Sequence, residues 1–187
     1  WYFHPSDEAL IRHYRRIAEQ TDFPILLYNL PYFVGYSNNP EVVVNTSKVE
    51  NIVGIKDSSA RMLYYQQLMD ITPEDFNIIQ GYGSLFLPSL IIGGTTTLCG
   101  EANILAKDMT TMYNAFLKGD LDTARKMHYR IVKISSVIGY GTFPVAVKEA
   151  MNIIGLPGGY TREPASSLTK EERRGLRTAL KELGLIY

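Results

Sequence analysis

A single cysteine, Cys99, is all the thiol chemistry this chain has. An internal disulfide and a thiolate metal cage are both excluded, and such cysteine usage suits a reducing cytoplasm. Histidine is nearly as scarce: His4, His13 and His128 are scattered, without the spacing of metal ligands, so no metal site is expected. Neither sign of charge is in excess, since 19 basic residues balance 19 acidic ones, which leaves no electrostatic footprint for nucleic acid or an acidic membrane surface. No apolar run approaches the roughly 20 residues of a membrane span, and no basic-then-apolar signal opens the chain. Repeats, low-complexity tracts and flexible linkers are lacking too. What is present is 187 residues with 45% hydrophobic and 20% charged content, enough for one substantial core.

The apolar pattern alternates between two kinds of segment. PILLYN (24–29), NIVGIK (51–56), FNIIQG (76–81) and TTTLCG (95–100) are rich in Ile, Leu, Val and Thr and too short for helices, so they read as strands. Helical signals lie between them. Ser6 is an N-cap before an apolar stripe of Leu10, Ile11, Tyr14, Ile17 and Ala18, and Asn39 with Pro40 opens a second helix. Two more helices are predicted over 60–69 and 84–92. After Cys99 the pattern turns entirely helical: 103–117, then Asp120 capping a helix to about Ile138, a helix opened by Pro144, and a capping box Thr169-x-x-Glu172. Strands spaced as βα units predict one parallel sheet wrapped by helices, an α/β fold. The segment GLPGGYTREP (155–164) reads as a turn-rich connection within one domain.

NIVGIK raises a question, because a strand buried on both faces ends in Lys56. Read alone, a strand-end lysine snorkels to solvent or pairs with its neighbour Asp57. Its setting favours chemistry. Ligands of parallel α/β folds sit beyond the carboxyl ends of the strands, where Lys56 ends one strand, Tyr28 the preceding one and Gly81 the next. Neighbouring strands run about 4.8 Å apart, so a phenol and an amine from adjacent ends can reach one small molecule. A neutral amine there can attack a carbonyl to form a Schiff base, and the tyrosine can shuttle protons.

Tyr28-Asn29-Leu30-Pro31, then Gly54-Ile55-Lys56-Asp57-Ser58, then Gly81, then Gly93-Gly94 before a strand and Ala102-Asn103 after it, resemble the dihydrodipicolinate synthase / N-acetylneuraminate lyase family. The resemblance implies a (β/α)8 TIM barrel in which a sixth-strand lysine forms an imine with pyruvate or another 2-oxo acid. It casts Lys56 as that lysine and Tyr28 as the proton-transfer phenol, with no cofactor. WYFHPS (1–6) resembles the end of the family's fourth strand. The chain is therefore expected to be the C-terminal half of the barrel, strands 5–8 over residues 1–102, with the last barrel helix and a C-terminal helical extension over 103–187 packed into the same domain. A whole barrel needs about 250 residues, so a first half carrying a carboxylate-binding loop is expected to be missing.

Within the family, synthases usually carry an arginine five residues after the tyrosine, where this chain has Phe33. Sialate lyases commonly follow the seventh-strand glycine with an acidic pair, where this chain has Tyr82-Gly83. Lys56-Asp57-Ser58 looks more like the 2-keto-3-deoxygluconate aldolases, in which the hydroxyl of a residue such as Ser58 binds a sugar-acid hydroxyl. The expected activity is thus a lyase acting on pyruvate and an aldehyde to cleave or form a 2-keto-3-deoxy sugar acid. The alternatives are a 4-hydroxy-tetrahydrodipicolinate synthase, joining pyruvate to aspartate semialdehyde, and a non-catalytic 2-oxo acid binder. By the same resemblance Gly81 lines the substrate site, Leu98 and Cys99 take positions in its wall or simply pack, Tyr2 reaches a neighbouring subunit's site or packs at the barrel mouth, and the protein is a homodimer or homotetramer. Glu101 reads as a salt-bridged rim glutamate or a site residue. Tyr64, Tyr65, Met109, Met112 and Tyr113 fall at helical spacings and read as packing, and EERR (171–174) as a solvated helix face.

Overall fold

The computed structural model describes residues 3–187, so Tyr2 and its expected role lie outside the described residues. Four parallel strands form one sheet in the order β1 (Ile25–Asn29), β2 (Ile52–Asp57), β3 (Asn77–Gln80), β4 (Thr96–Thr97). Each pairs in parallel with the next in sequence, the usual outcome for strands joined by short crossovers. The α/β reading and the four strand positions are borne out. β4 is far shorter than TTTLCG suggested, with Leu98 donating its N–H to the Gln80 carbonyl at 3.0 Å just beyond it.

The chain forms two compact units, Trp1–Gly81 with Pro88–Leu98, and Tyr82–Leu87 with Cys99–Tyr187. In the first, α1 (Asp7–Ala18) starts at Ser6, whose hydroxyl accepts from the Ala9 N–H at 3.3 Å. α3 (Pro40–Thr46) starts at Asn39 with Pro40 at its first position, and α4 (Met62–Ile71) follows β2. The core lies on one face of the sheet: Leu27, Ile55 and Ile78, from successive strands, pack with Val43, Tyr64, Tyr65 and Leu68. Each fully buried aliphatic side chain contributes about 1.5–3 kcal/mol. Tyr64 and Tyr65 are thus packing residues, as their spacing predicted. Tyr65 donates its hydroxyl to the Ile78 carbonyl at 2.9 Å, and burial pushes its phenol up to about 12. A methyl group on Gly94 would come within 2.6 Å of that hydroxyl, which is why this position has no side chain.

α2 (Pro31–Val34) was not predicted. It is one turn opened by Pro31 and closed by Gly35 at φ 87°, too short for apolar periodicity to reveal. The helix expected over 84–92 is a 3₁₀ turn (Gly83–Leu85) running into α5 (Phe86–Ile91).

The second unit contains α6 (Ala102–Leu117), α7 (Leu121–Ile138), α8 (Val145–Ile153) and α9 (Lys170–Glu182). Met109, Met112, Ile131, Ile134, Leu176 and Leu180 are buried, and Tyr113 stacks on Phe86 at 6.0 Å. Asp120 caps α7, and the Thr169/Glu172 capping box is formed. EERR departs from a simply solvated face: Glu172 belongs to the cap, and Arg173 grips both carboxylate oxygens of Glu149. Glu101 makes no ion pair among the described residues. It is 3% exposed and accepts the Ser135 hydroxyl at 2.7 Å, so the salt-bridged rim reading is corrected. A buried acid here needs a donor, and the second unit supplies a neutral one.

Candidate active site

Side chains alternate along a strand, so residues at successive positions leave opposite faces. On β1, Leu27 and Asn29 enter the helix-covered face, while Leu26 and Tyr28 leave the other and stay about half exposed, Tyr28 at 46%. On β2, Ile55 and Asp57 are buried and Lys56 projects with Tyr28. The register makes Tyr28 and Lys56 Cα partners. Their side chains meet: Lys56 Nζ donates to Tyr28 Oη at 3.1 Å and sits 4.4 Å from the ring centroid. The pairing of phenol and amine expected from two strand ends is therefore present.

Lys56 is not the last residue of its strand; β2 runs on through Asp57. Nor does Lys56 pair with Asp57, because adjacent strand positions face opposite ways. Asp57 instead accepts from Asn29 Nδ2 at 2.8 Å and from the Ser59 N–H and hydroxyl at 3.1 and 2.9 Å. Burial raises its carboxyl above the usual range, opposed by these hydrogen bonds and by the charge of Arg61.

Ser58 Oγ lies 3.5 Å from Tyr28 Oη, at the limit of a hydrogen bond, and its backbone N–H donates to the Asn29 carbonyl at 2.8 Å. Gly81, immediately after β3, donates its N–H to the Asp57 carbonyl at 2.8 Å. The structure therefore brings Tyr28, Lys56, Ser58 and Gly81 to the carboxyl ends of three neighbouring strands. Leu98 follows β4, two strands from Lys56 in the sheet order, and is 58% exposed. The arrangement can present an amine nucleophile with a phenol in hydrogen-bond reach, the geometry a carbinolamine and its proton transfers need. Among the described residues no group of three or more His, Cys, Asp or Glu could hold a metal, and no helix is long and apolar enough to cross a membrane.

Sequence reasoning passed over the partnership of Asn29 with Asp57. Both residues stood in the quoted motifs, and the signal was their place one step past Tyr28 and Lys56 on paired strands.

The pattern of the Dihydrodipicolinate synthetase family matches residues 1–183. A 4-hydroxy-tetrahydrodipicolinate synthase from Methanococcoides burtonii is 38% identical over 187 residues, all of this chain and 64% of the relative. A solved dihydrodipicolinate synthase from Bacillus anthracis superposes with a TM-score of 0.92 at 31% identity, covering 95% of this chain and 61% of that one. YagE, a prophage protein of the dihydrodipicolinic acid synthase family from E. coli, was solved in complex with pyruvate. It matches with a TM-score of 0.92 at 25% identity, covering 100% of this chain and 64% of that one. The chain thus spans just under two thirds of the length of these relatives.

Proposed function

This chain belongs to the dihydrodipicolinate synthetase family, and on that premise we propose that the full-length protein is a Schiff-base lyase working through pyruvate. The Lys56 amine adds to the C2 carbonyl of pyruvate, and the carbinolamine loses water to give an imine. Loss of a C3 proton forms the enamine, whose C3 attacks the aldehyde carbon; hydrolysis then releases product and frees Lys56. Tyr28 carries protons to and from the carbinolamine oxygen and the aldehyde oxygen. The observation that carries this reading is the 3.1 Å hydrogen bond from Lys56 Nζ to Tyr28 Oη at the carboxyl ends of two parallel strands. Ser58, Gly81 and Leu98 serve as substrate-side contacts in this reading.

The reading extends to architecture. The sequential parallel order β1-β2-β3-β4 suits an arc of a (β/α)8 barrel, taken here as strands 5–8 in residues 1–102, with 103–187 as the last barrel helix and the C-terminal helices. A cytoplasmic homodimer or homotetramer completes it.

As to the aldehyde, the curated relatives favour aspartate semialdehyde over the sugar acid expected from the motif, since they are named 4-hydroxy-tetrahydrodipicolinate synthases. The synthase reaction is accordingly the first proposal. Phe33 supports the second, a 2-keto-3-deoxy sugar acid, because an exposed ring in α2 cannot bind the carboxylate of the semialdehyde as a guanidinium does. Borohydride reduction with pyruvate followed by peptide mapping should place the adduct on Lys56, and labelling that survives in Lys56→Ala would sink the lyase reading. Comparing kcat/KM for the two aldehyde partners then separates the two substrates, since specificity is a difference in transition-state binding.

A further inference from the structure

A buried carboxylate stands directly behind the lysine and tyrosine, and the lyase reaction as written makes no use of it. Asn29 and Asp57 are each 1% exposed and are Cα partners one step beyond Tyr28 and Lys56. They leave the sheet on its helix-covered face. Burying a charge there is costly where an apolar pair would simply add to the core of Leu27 and Ile55.

The hydrogen bonds around the pair are complete and run in several directions. Asp57 Oδ1 accepts from Asn29 Nδ2 at 2.8 Å and from the Ser59 N–H at 3.1 Å; Oδ2 accepts from the Ser59 hydroxyl at 2.9 Å. Asn29 Oδ1 accepts from the Asn38 N–H at 3.0 Å, and its amide also bonds with the Ser37 hydroxyl at 3.1 Å. The Asn38 carbonyl in turn accepts the Tyr64 hydroxyl from α4 at 2.8 Å. Through the main chain, the Asn29 carbonyl holds the Ser58 N–H and the Asp57 carbonyl holds the Gly81 N–H, each at 2.8 Å. The ends of three strands and the segment before α3 are thereby joined through the Asn29–Asp57 pair: the side chains link β1, β2 and residues 37–38, and the Asp57 main-chain carbonyl links the end of β3.

We propose that Asn29 and Asp57 are positioning residues that hold the ends of β1 and β2 in the register at which Lys56 and Tyr28 stay within hydrogen-bond reach. The proposal rests on the lyase reading. Lys56 and Tyr28 are long side chains on a half-exposed face, and beyond their own hydrogen bond the contact described for them is Ser58 Oγ, 3.5 Å from the Tyr28 hydroxyl. Their Cα positions are set by the next rung of the ladder, and that rung is a side-chain clamp. Hydrogen bonds, rather than the charge, do the holding. An asparagine at position 57 can accept from Asn29 and the Ser59 N–H with its oxygen and donate to the Ser59 hydroxyl with its nitrogen.

The test uses the full-length protein, with the rate of borohydride trapping of pyruvate, kcat, the KM for pyruvate and the folded fraction by circular dichroism measured for wild type, Asn29→Ala, Asp57→Ala and Asp57→Asn. Both alanine variants are expected to lose about 10- to 100-fold in trapping rate and kcat per folded molecule, the scale of a misplacement near 1 Å, with the pyruvate KM changed less than about threefold. Asp57→Asn is expected to recover most of that loss. If Asp57→Ala does not fold, Asn29→Ser, which keeps a polar group but falls short of Asp57, takes its place with the same expected loss. Alanine variants that trap pyruvate at the wild-type rate, or an Asp57→Asn variant as slow as Asp57→Ala, overturn the clamp while leaving the lyase reading intact. A wild-type protein that yields no adduct overturns both together.

Discussion

Gly81 and Ser58 are packed so closely that a methyl group on Gly81 would overlap the serine hydroxyl and lie 2.7 Å from the Asp57 carbonyl oxygen. The absence of a side chain at the end of β3 is what lets Ser58 lie against Tyr28. Gly81→Ala is expected to cost about 1–3 kcal/mol, the usual effect of overpacking, and to displace Ser58 and the end of β2. Chemical denaturation together with the trapping rate checks this; an alanine variant with unchanged stability and trapping would show that the site absorbs the methyl group.

Tyr28 is expected to matter through its hydroxyl. Tyr28→Phe keeps the ring beside the Lys56 amine but removes the acceptor of the Lys56 hydrogen bond. Turnover should fall by about 10²–10⁴-fold, the range of general acid–base catalysis, with little change in thermal stability. Near-normal turnover in that variant would leave Tyr28 a packing role.

The pH dependence of stability should carry a signature of Asp57. Its folded-state carboxyl is raised by burial, so the folded protein binds this proton more tightly than the unfolded chain does. The contribution is therefore fully present below the ordinary carboxylate value near 4 and is lost as pH rises through the folded value, beyond which it is level. Asp57→Asn removes that slope. Calorimetric melting of the two proteins from pH 3 to pH 8 measures it, and a wild-type profile that rises more steeply than the variant's across this window would contradict the sign.

Residues 1–187 expressed by themselves are expected to associate or aggregate. Among the described residues β1 and β4 are open edges of the sheet, and Leu26 and Leu98 are exposed beside them. Sedimentation at several concentrations tests this. A cooperatively folding monomer with aldol turnover would refute it.

Local chemistry was enough to read much of this chain from its sequence. Strands announced themselves by short β-branched runs, and Ser6, Asp120 and the Thr169/Glu172 box marked helix starts, because capping involves residues at most three apart. Tyr28 and Lys56 were legible for a related reason: in a parallel sheet the strand ends define the mouth, so position along a strand already implies position in the site. Tertiary structure alone decided what lies across the chain. That Asp57 turns away from Lys56 to Asn29, 28 residues earlier, depends on strand register, which no window of sequence contains. That Glu101 is buried against Ser135 depends on how α6 and α7 pack. Charged residues read as solvated by default, and only the folded chain shows which of them have been taken out of water and given donors in its place.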